Sequence, residues 1–345
     1  MSLPNSHGMF HSKLGSTITQ MRRMSFASVA FVVLLGNMGS GLAQVYPSRP
    51  ITFNVPFPAG GPTDAMARVM GERMRVSLGQ LILIENVSGA TGSIGVGRVA
   101  HAPPDGYTVG VGNWSTHVVN GAIYDLSYDL LKDFAPVARL PSNPQLIVSK
   151  KNVPAANLKE LIAWLKANES KTAAGSAGAG SASQVAEIYF QKITGTRFTM
   201  VPYRGTGPAL NDLVAGQIDL ILDQASNSMA QVRAGTIKAY AVTAKTRLPS
   251  LPEIPTVDEA GAPGLYMSVW YGLWVPKRTP KEIIAKLSEA AVTAMADPIV
   301  RMRMSDFGLE VPPPEQQTPE ALGAFQKAEI QKWWPIIRDA NIKVD

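Results

Sequence analysis

From residue 46 onward, short apolar runs rich in β-branched side chains alternate with amphipathic stretches of helical length. A chain with this rhythm forms parallel strands joined by crossover helices, because a parallel pair needs a long connection and a helix can bury its apolar stripe on the sheet it returns to. The expected class is α/β. Strands are expected at 51–55, 107–111, 145–148, 198–201, 218–222 and 238–242. Helices are expected at 62–78, where Met66, Val69, Met70 and Met74 share a face, and at 158–167, with Leu161, Ile162 and Leu165 inward. Further helices are expected at 183–193, 209–214, 280–295, 298–307 and 319–341. The two α/β blocks have similar size and rhythm, and no repeat of solenoid period is present. Such a layout suits two lobes with a cleft, where ligands favour the carboxyl ends of the strands.

Composition narrows the function. The 345 residues suffice for about two domains. The net charge is +6, but residues 1–43 hold Lys13, Arg22 and Arg23 and no acid, which leaves 29 basic against 26 acidic residues for the rest. With so small an excess and no basic cluster, nucleic acid is not an expected partner. The absence of cysteine excludes disulfides, thiolate metal sites, iron–sulfur ligation and cysteine nucleophiles. Outside the N-terminal segment only His101 and His117 remain, without the spacing of a zinc motif. No metal and no cofactor is expected. Arg22 and Arg23 precede an apolar run at 26–35 and then small residues ending at Ala43, the order of a secretory signal cleaved after Ala43. Ten apolar residues are too few to span a bilayer, which takes roughly 20. Residues 1–43 are thus expected to be a removable leader, with Met21 as an alternative start, and the mature protein to be exported.

Two segments offer places for a ligand. In Val55-Pro56-Phe57-Pro58-Ala59-Gly60-Gly61-Pro62-Thr63-Asp64 the prolines stiffen a strand-to-helix loop, while Gly60 and Gly61 let the backbone approach a guest. Pro62 fits the first helical position, and the free N–H groups there, with the positive end of the helix dipole, make an anion site. Asp64 would repel an anion and is assigned to capping or to fixing the loop. The plain alternative is a tight turn capped by Thr63 or Asp64. The second segment, residues 174–184, is a run of small residues that leads from a short strand into a helix. Its serines and exposed amides offer donors to a polar ligand, and its plain alternative is a flexible linker.

Other signals are weaker. Gly95-Val96-Gly97-Arg98-Val99-Ala100 fits a loose dinucleotide fingerprint without the preceding strand, and Thr91-Gly92-Ser93-Ile94-Gly95 falls one glycine short of a nucleophile elbow. His117 reads as a hydrogen-bonded structural histidine. Asp219 and Asp223 read as strand-end caps, and Trp333-Trp334 as helix packing. Trp270 and Trp274 are expected near the interlobe crossing. Arg204 is the one basic side chain near a candidate site, either for a second carboxylate or for a neighbouring surface acid.

A set of short motifs runs the length of the chain: Tyr46-Pro47-Ser48-Arg49-Pro50-Ile51, Pro58-Ala59-Gly60-Gly61 with Asp64, Pro104-Asp105-Gly106-Tyr107-Thr108, Leu131-Lys132-Asp133-Phe134-Ala135-Pro136-Val137, Val201-Pro202-Tyr203-Arg204-Gly205, Ala209-Leu210-Asn211-Asp212-Leu213-Val214-Ala215-Gly216, Pro255-Thr256-Val257-Asp258-Glu259-Ala260-Gly261 and Ala328-Glu329-Ile330-Gln331-Lys332-Trp333. In that order they resemble the Bug-type substrate-binding proteins of tripartite tricarboxylate transporters. The resemblance implies a two-lobe periplasmic binding-protein fold of type II, with lobes at 44–143 plus 269–345 and at 144–268. It implies a first loop, with Phe57, Ala59, Gly60, Gly61, Thr63 and Asp64, that grips a carboxylate through backbone groups and ordered waters. It implies a facing loop, with Ser176, Gly178, Ser181, Ser183 and Gln184, for the variable part of the ligand, and Tyr203, Arg204 and Asp223 on adjacent strand-end loops. Many relatives have His where this chain has Gln184, and a Thr-rich segment where it has Trp114 and Ser115. Trp114 could supply an aromatic wall for an aromatic or longer carboxylate. The implied role is a periplasmic solute receptor, not an enzyme, acting as a monomer that passes a small carboxylate to membrane permease subunits. The alternative is a sensor that presents its loaded form to a membrane histidine kinase.

Overall fold

The computed structural model describes residues 1–2 and 46–342, so the leader expected at 1–43 lies outside the described residues apart from its first two. Strand β1 (Ile51–Val55) is hydrogen-bonded in parallel to β2 (Ile82–Asn86) on one side and β3 (Thr108–Asn113) on the other. Between β1 and β2 runs α1 (Pro62–Leu78), with Pro62 in its first turn and Gly79 closing it in the left-handed conformation at φ 68°. Its apolar face, Met66, Met70 and Met74, is fully buried. α2 (Ser93–Ala100) connects β2 to β3.

The chain then enters β4 (Phe134–Lys150), a strand of 17 residues. Its first part, up to Pro144, pairs antiparallel with β9 (Ser268–Pro276), which also pairs antiparallel with β3. From Gln145 onward it pairs with β7 (Leu220–Gln224) on one side and β8 (Ile237–Val242) on the other, both antiparallel. β5 (Ala173–Ser176) lies parallel between β6 (Thr199–Pro202) and β7. Thus β4 is common to two half-sheets, and the protein is a two-lobed α/β fold within the compact unit Pro47–Asp345.

The expectation of parallel pairing needs correction for the centre of the molecule. β4 carries the chain out of the first half-sheet and β9 brings it back, so these strands run against their neighbours while β1–β3 and β5–β7 keep the parallel rhythm. The expected strand 145–148 is only the second part of β4. Its first part holds Pro136, Pro141 and Pro144, which remove ladder donors and coincide with two register shifts against β9.

A short helical segment at 115–123 follows β3, and the longer remaining helices pack on the two half-sheets: α3 (Leu158–Ala167), α4 (Ala182–Thr194), α5 (Thr206–Ala215), α6 (Ala225–Arg233), α7 (Lys281–Ala296), α8 (Pro298–Asp306) and α9 (Pro319–Asp339). Each buries one stripe, as with Leu158, Leu161 and Leu165 of α3, while Ile162 is only half-buried. The second half-sheet has its own apolar core, including Leu146, Val148, Leu213 and Ile221.

Candidate functional site

The carboxyl ends of six strands, β1, β2, β3, β5, β6 and β7, open onto one cleft of about 670 Å³. Five helices begin there. The N-cap residues Gly61 of α1, Gly92 of α2, Ser181 of α4, Gly205 of α5 and Gln224 of α6 all line it. This follows from the parallel βα rhythm, which places every helix start at the same edge of its sheet. Arg204 is the only charged residue among those lining the cleft.

The first loop is held from beneath. Gly60 adopts φ +81°, a conformation that favours glycine, and its N–H donates to Asp64 Oδ2 at 2.9 Å. Asn86 Nδ2 donates to Asp64 Oδ1 at 3.0 Å and to Phe57 O at 3.0 Å, and Arg68 Nε donates to Asp64 Oδ2 at 2.8 Å. Burial works to raise the Asp64 pKa, but the bonds from Arg68, Gly60 and Asn86 outweigh it and hold the carboxyl below its ordinary range. Asp64 therefore fixes the loop as a buried anion instead of lining the cleft, and α1 has no side-chain cap. The Gly60 amide is spent on it. Ala65 N makes the first bond of the helix, to Gly61 O, so the amides of Thr63 and Asp64 are the ones without a helical acceptor.

The facing loop is similarly tied. Ala177 N donates to Ser183 Oγ at 2.9 Å, Gly180 N to Gln184 Oε1 at 2.8 Å, and Gln184 N to Ser181 Oγ at 3.3 Å. Ser181 and Ser183 line the cleft, together with Ala177 and Ala182. Gln184, Ser176 and Gly178 do not. Gln184 is a strut of the loop, Ser176 is buried at the end of β5, and Gly178 forms the turn at φ +94°.

Of the residues named from the sequence, the structure thus brings Phe57, Ala59, Gly60, Gly61, Thr63, Ser115, Ser181, Ser183 and Arg204 together around one space. Three others are placed elsewhere by packing. Trp114 has no exposed surface and meets Trp333 edge-on, with ring centroids 5.3 Å apart, so the expected aromatic wall is instead part of the core. Tyr203 points its hydroxyl at Asp212 Oδ2, 2.7 Å away. Asp223 is buried under the cleft, where Asn227 Nδ2 donates to its Oδ2 at 2.7 Å and to Thr206 Oγ1 at 3.2 Å. A Trp114→Phe variant is accordingly expected to keep the relative affinities for aromatic and aliphatic carboxylates, measured by calorimetric titration. A selective loss of the aromatic ligands would restore the wall.

His117 is buried away from the cleft, stacked on Trp274 at 3.7 Å, with Thr116 Oγ1 2.9 Å from Nδ1. Burial pushes its pKa down to about 3, so the ring is neutral. The glycines of the fingerprint-like run serve packing: a Cβ on Gly95 would lie 2.6 Å from Val87 O and 2.9 Å from Pro56 Cβ. Asp219 does cap a strand end. It accepts from Ala173 N at 2.8 Å and pairs with Lys150 at 2.7 Å.

Sequence reasoning missed Ser88, Gly89, Thr91, Gly92, Asn113, Gln145, Thr206, Gln224 and Val269, all of which line the cleft. A signal existed for one group. Ala90, Thr91 and Gly92 all have positive φ, and the sequence set Thr91-Gly92 apart only as part of a run one glycine short of a nucleophile elbow.

A family model described as the tripartite tricarboxylate transporter family receptor matches residues 66–342. The chain is similar to the solved periplasmic binding protein BugD, at 38% identity and TM-score 0.76, over 86% of this chain and 99% of that one. It is similar to MatC from Rhodopseudomonas palustris with bound malate, at 40% identity and TM-score 0.76, over 85% of this chain and all of the other. It is also similar to R. palustris Rpa4515 with adipate, at 32% identity and TM-score 0.78, over 86% and 99% of the two chains.

Proposed function

Because this chain belongs to the tripartite tricarboxylate transporter family of receptors, to which its Bug-type resemblance also points, we propose that it captures a small carboxylate in the periplasm and hands it to a membrane permease. One observation carries this reading. The cleft collects five helix starts and one arginine and no carboxylate among its lining residues. Each helix start brings the positive end of a dipole, and although the amides of Ser93, Gln184 and Ser226 already donate to Ala90 O, Ser181 Oγ and Asn143 Oδ1, those of Thr63 and Asp64 have no helical acceptor, so the space as a whole favours an anion. A family of receptors, not of enzymes, requires no reaction at the site, and no histidine, lysine or carboxylate lines the cleft beside its serines and threonines.

The malate of MatC and the adipate of Rpa4515 support a dicarboxylate as ligand class. One carboxylate is held at the start of α1 by the amides of Thr63 and Asp64. The other faces Ser181, Ser183 and Arg204. The lobes, residues 44–143 with 269–345 and residues 144–268, close on the ligand because it bonds to both, which favours the closed form by that difference in contact. Export follows from the leader at 1–43, and one copy of the chain suffices for binding.

Thermal-shift and calorimetric titration of the mature protein with malate, succinate and adipate test the reading, since a ligand bound by the native state alone raises the melting point. Failure of every carboxylate to shift or titrate would overturn it. Arg204 is exposed and makes no ion pair with any described residue. Arg204→Ala is expected to weaken dicarboxylates by about 10- to 100-fold, the equivalent of one charge-assisted bond of about 1.5–3 kcal/mol. An unchanged affinity would place this side chain outside the bound complex. Uptake in a strain lacking the protein separates delivery from sensing: lost uptake supports the permease, and normal uptake with lost gene induction supports the kinase.

A further inference from the structure

Gln145 stands where β4 changes from one half-sheet to the other, and it lines the cleft. Its main chain is committed. The N–H donates to Thr243 Oγ1 at 2.9 Å, and the carbonyl accepts from Thr243 N at 2.8 Å and from Thr243 Oγ1 at 3.1 Å. What it has left to offer is the side-chain amide. That amide is fully buried, and neither its Oε1 nor its Nε2 has a hydrogen-bond partner. Buried amides without partners are rare and costly, and one with both ends unpaired beside a ligand cleft points to a group that arrives with the ligand.

The neighbouring amides narrow the chemistry. Gln224 lies directly across the ladder from Gln145, so the two side chains share a face. Gln224 Oε1 already accepts from Asn143 Nδ2 at 3.1 Å and from Tyr271 OH at 3.3 Å, which leaves its NH₂ end to offer. Asn113 Oδ1 accepts from Thr116 N at 3.2 Å, which likewise leaves a donor. Gln145 differs from both because its acceptor and its donor are both unclaimed. An ionised carboxylate only accepts and cannot satisfy Oε1, whereas a hydroxyl both donates and accepts. We propose that Gln145 is a specificity-determining residue that reads a hydroxyl group on the carboxylate ligand, so that the receptor prefers hydroxylated acids over their deoxy counterparts. This rests on the carboxylate reading above and adds the substrate feature it selects.

The test is calorimetric titration with matched pairs that differ by one hydroxyl: malate and succinate, citrate and tricarballylate, mandelate and phenylacetate. The wild-type protein is expected to bind the hydroxylated member of at least one pair about tenfold or more tightly, because a site built to bond a hydroxyl rejects the analogue that lacks it. Gln145→Met, close in volume and unable to bond, is expected to lose about tenfold or more for that member and less than about threefold for its partner. Without ligand the variant should melt at or above the wild-type temperature, since the unpaired amide is gone; Gln145→Leu gives a second apolar replacement if methionine packs poorly. An equal response to both members of every pair, or a preference that survives both substitutions, overturns the proposal. Absence of binding by any acid instead overturns the carboxylate reading, and this inference falls with it.

Discussion

Asp64→Ala is expected to weaken carboxylate binding by about 100-fold or more, although Asp64 never faces the ligand space. Its two oxygens hold the Gly60 amide, the Asn86 side chain and Arg68 at 2.8–3.0 Å. Without them the left-handed turn at Gly60 loses its anchor, and the amides at the start of α1 no longer meet one carboxylate together. Displacement of such groups by about 1 Å is enough for losses of this size. The variant also removes a buried carboxylate and the bonds it accepts from an exposed main-chain amide, a half-buried side-chain amide and an exposed guanidinium, so unfolding by urea should show a loss of about 1–3 kcal/mol. The carboxyl is held below its ordinary pKa, so its contribution is fully present above the unfolded value near 4 and is lost as pH falls through the folded value. Binding that persists at wild-type strength in Asp64→Ala would mean that the loop is kept by its prolines alone.

Asp223→Asn is expected to stabilise the protein, and increasingly so as pH rises. Burial pushes the Asp223 pKa up to about 7, against bonds from Asn227 and Thr206 that favour its charged form, and its Oδ1 has no partner. The native state therefore holds a proton that the unfolded chain has released above about pH 4. Wild-type stability falls between about pH 4 and 7, and the full penalty stands above that range. A shift of about three pKa units corresponds to about 4 kcal/mol. Asparagine keeps the acceptor for Asn227 and cannot ionise. Urea unfolding from pH 4.5 to 8 should show the two proteins diverging by up to that amount, with the variant the more stable. Parallel curves would mean that Asp223 titrates alike folded and unfolded. Nearby Glu187 is raised as well, by burial and by the negative charge of Asp223, which adds to the slope of both curves.

Helix α1 was legible because a proline start, a glycine stop and a 3.6-residue apolar stripe are all local, and α3 because its apolar stripe is. The loop at 56–61 was legible for the same reason: two glycines between a stiff strand end and a helix start have few other uses. The first part of β4 was not, since its three prolines argue against a strand until β9 is laid beside it.

The side chains of the cleft divide along the same line. Gly60, Gly61, Ser181 and Ser183 belong to loops whose position follows from the strand before and the helix after. Trp114 was expected as an aromatic wall because it stands where relatives carry a Thr-rich segment, yet Trp333, far along the chain, covers it. Gln145 stood in the sequence only as the first residue of a strand expected at 145–148, and only the register with Gln224 and Thr243 shows that its amide is left over. The amino-acid order by itself determined the α/β rhythm, the helix starts and hence the anionic character of the guest, because these depend on neighbours within a turn or two. Which side chains line the cleft was decided by contacts between residues tens to hundreds of positions apart, which exist only once β4 and β9 have joined the two halves.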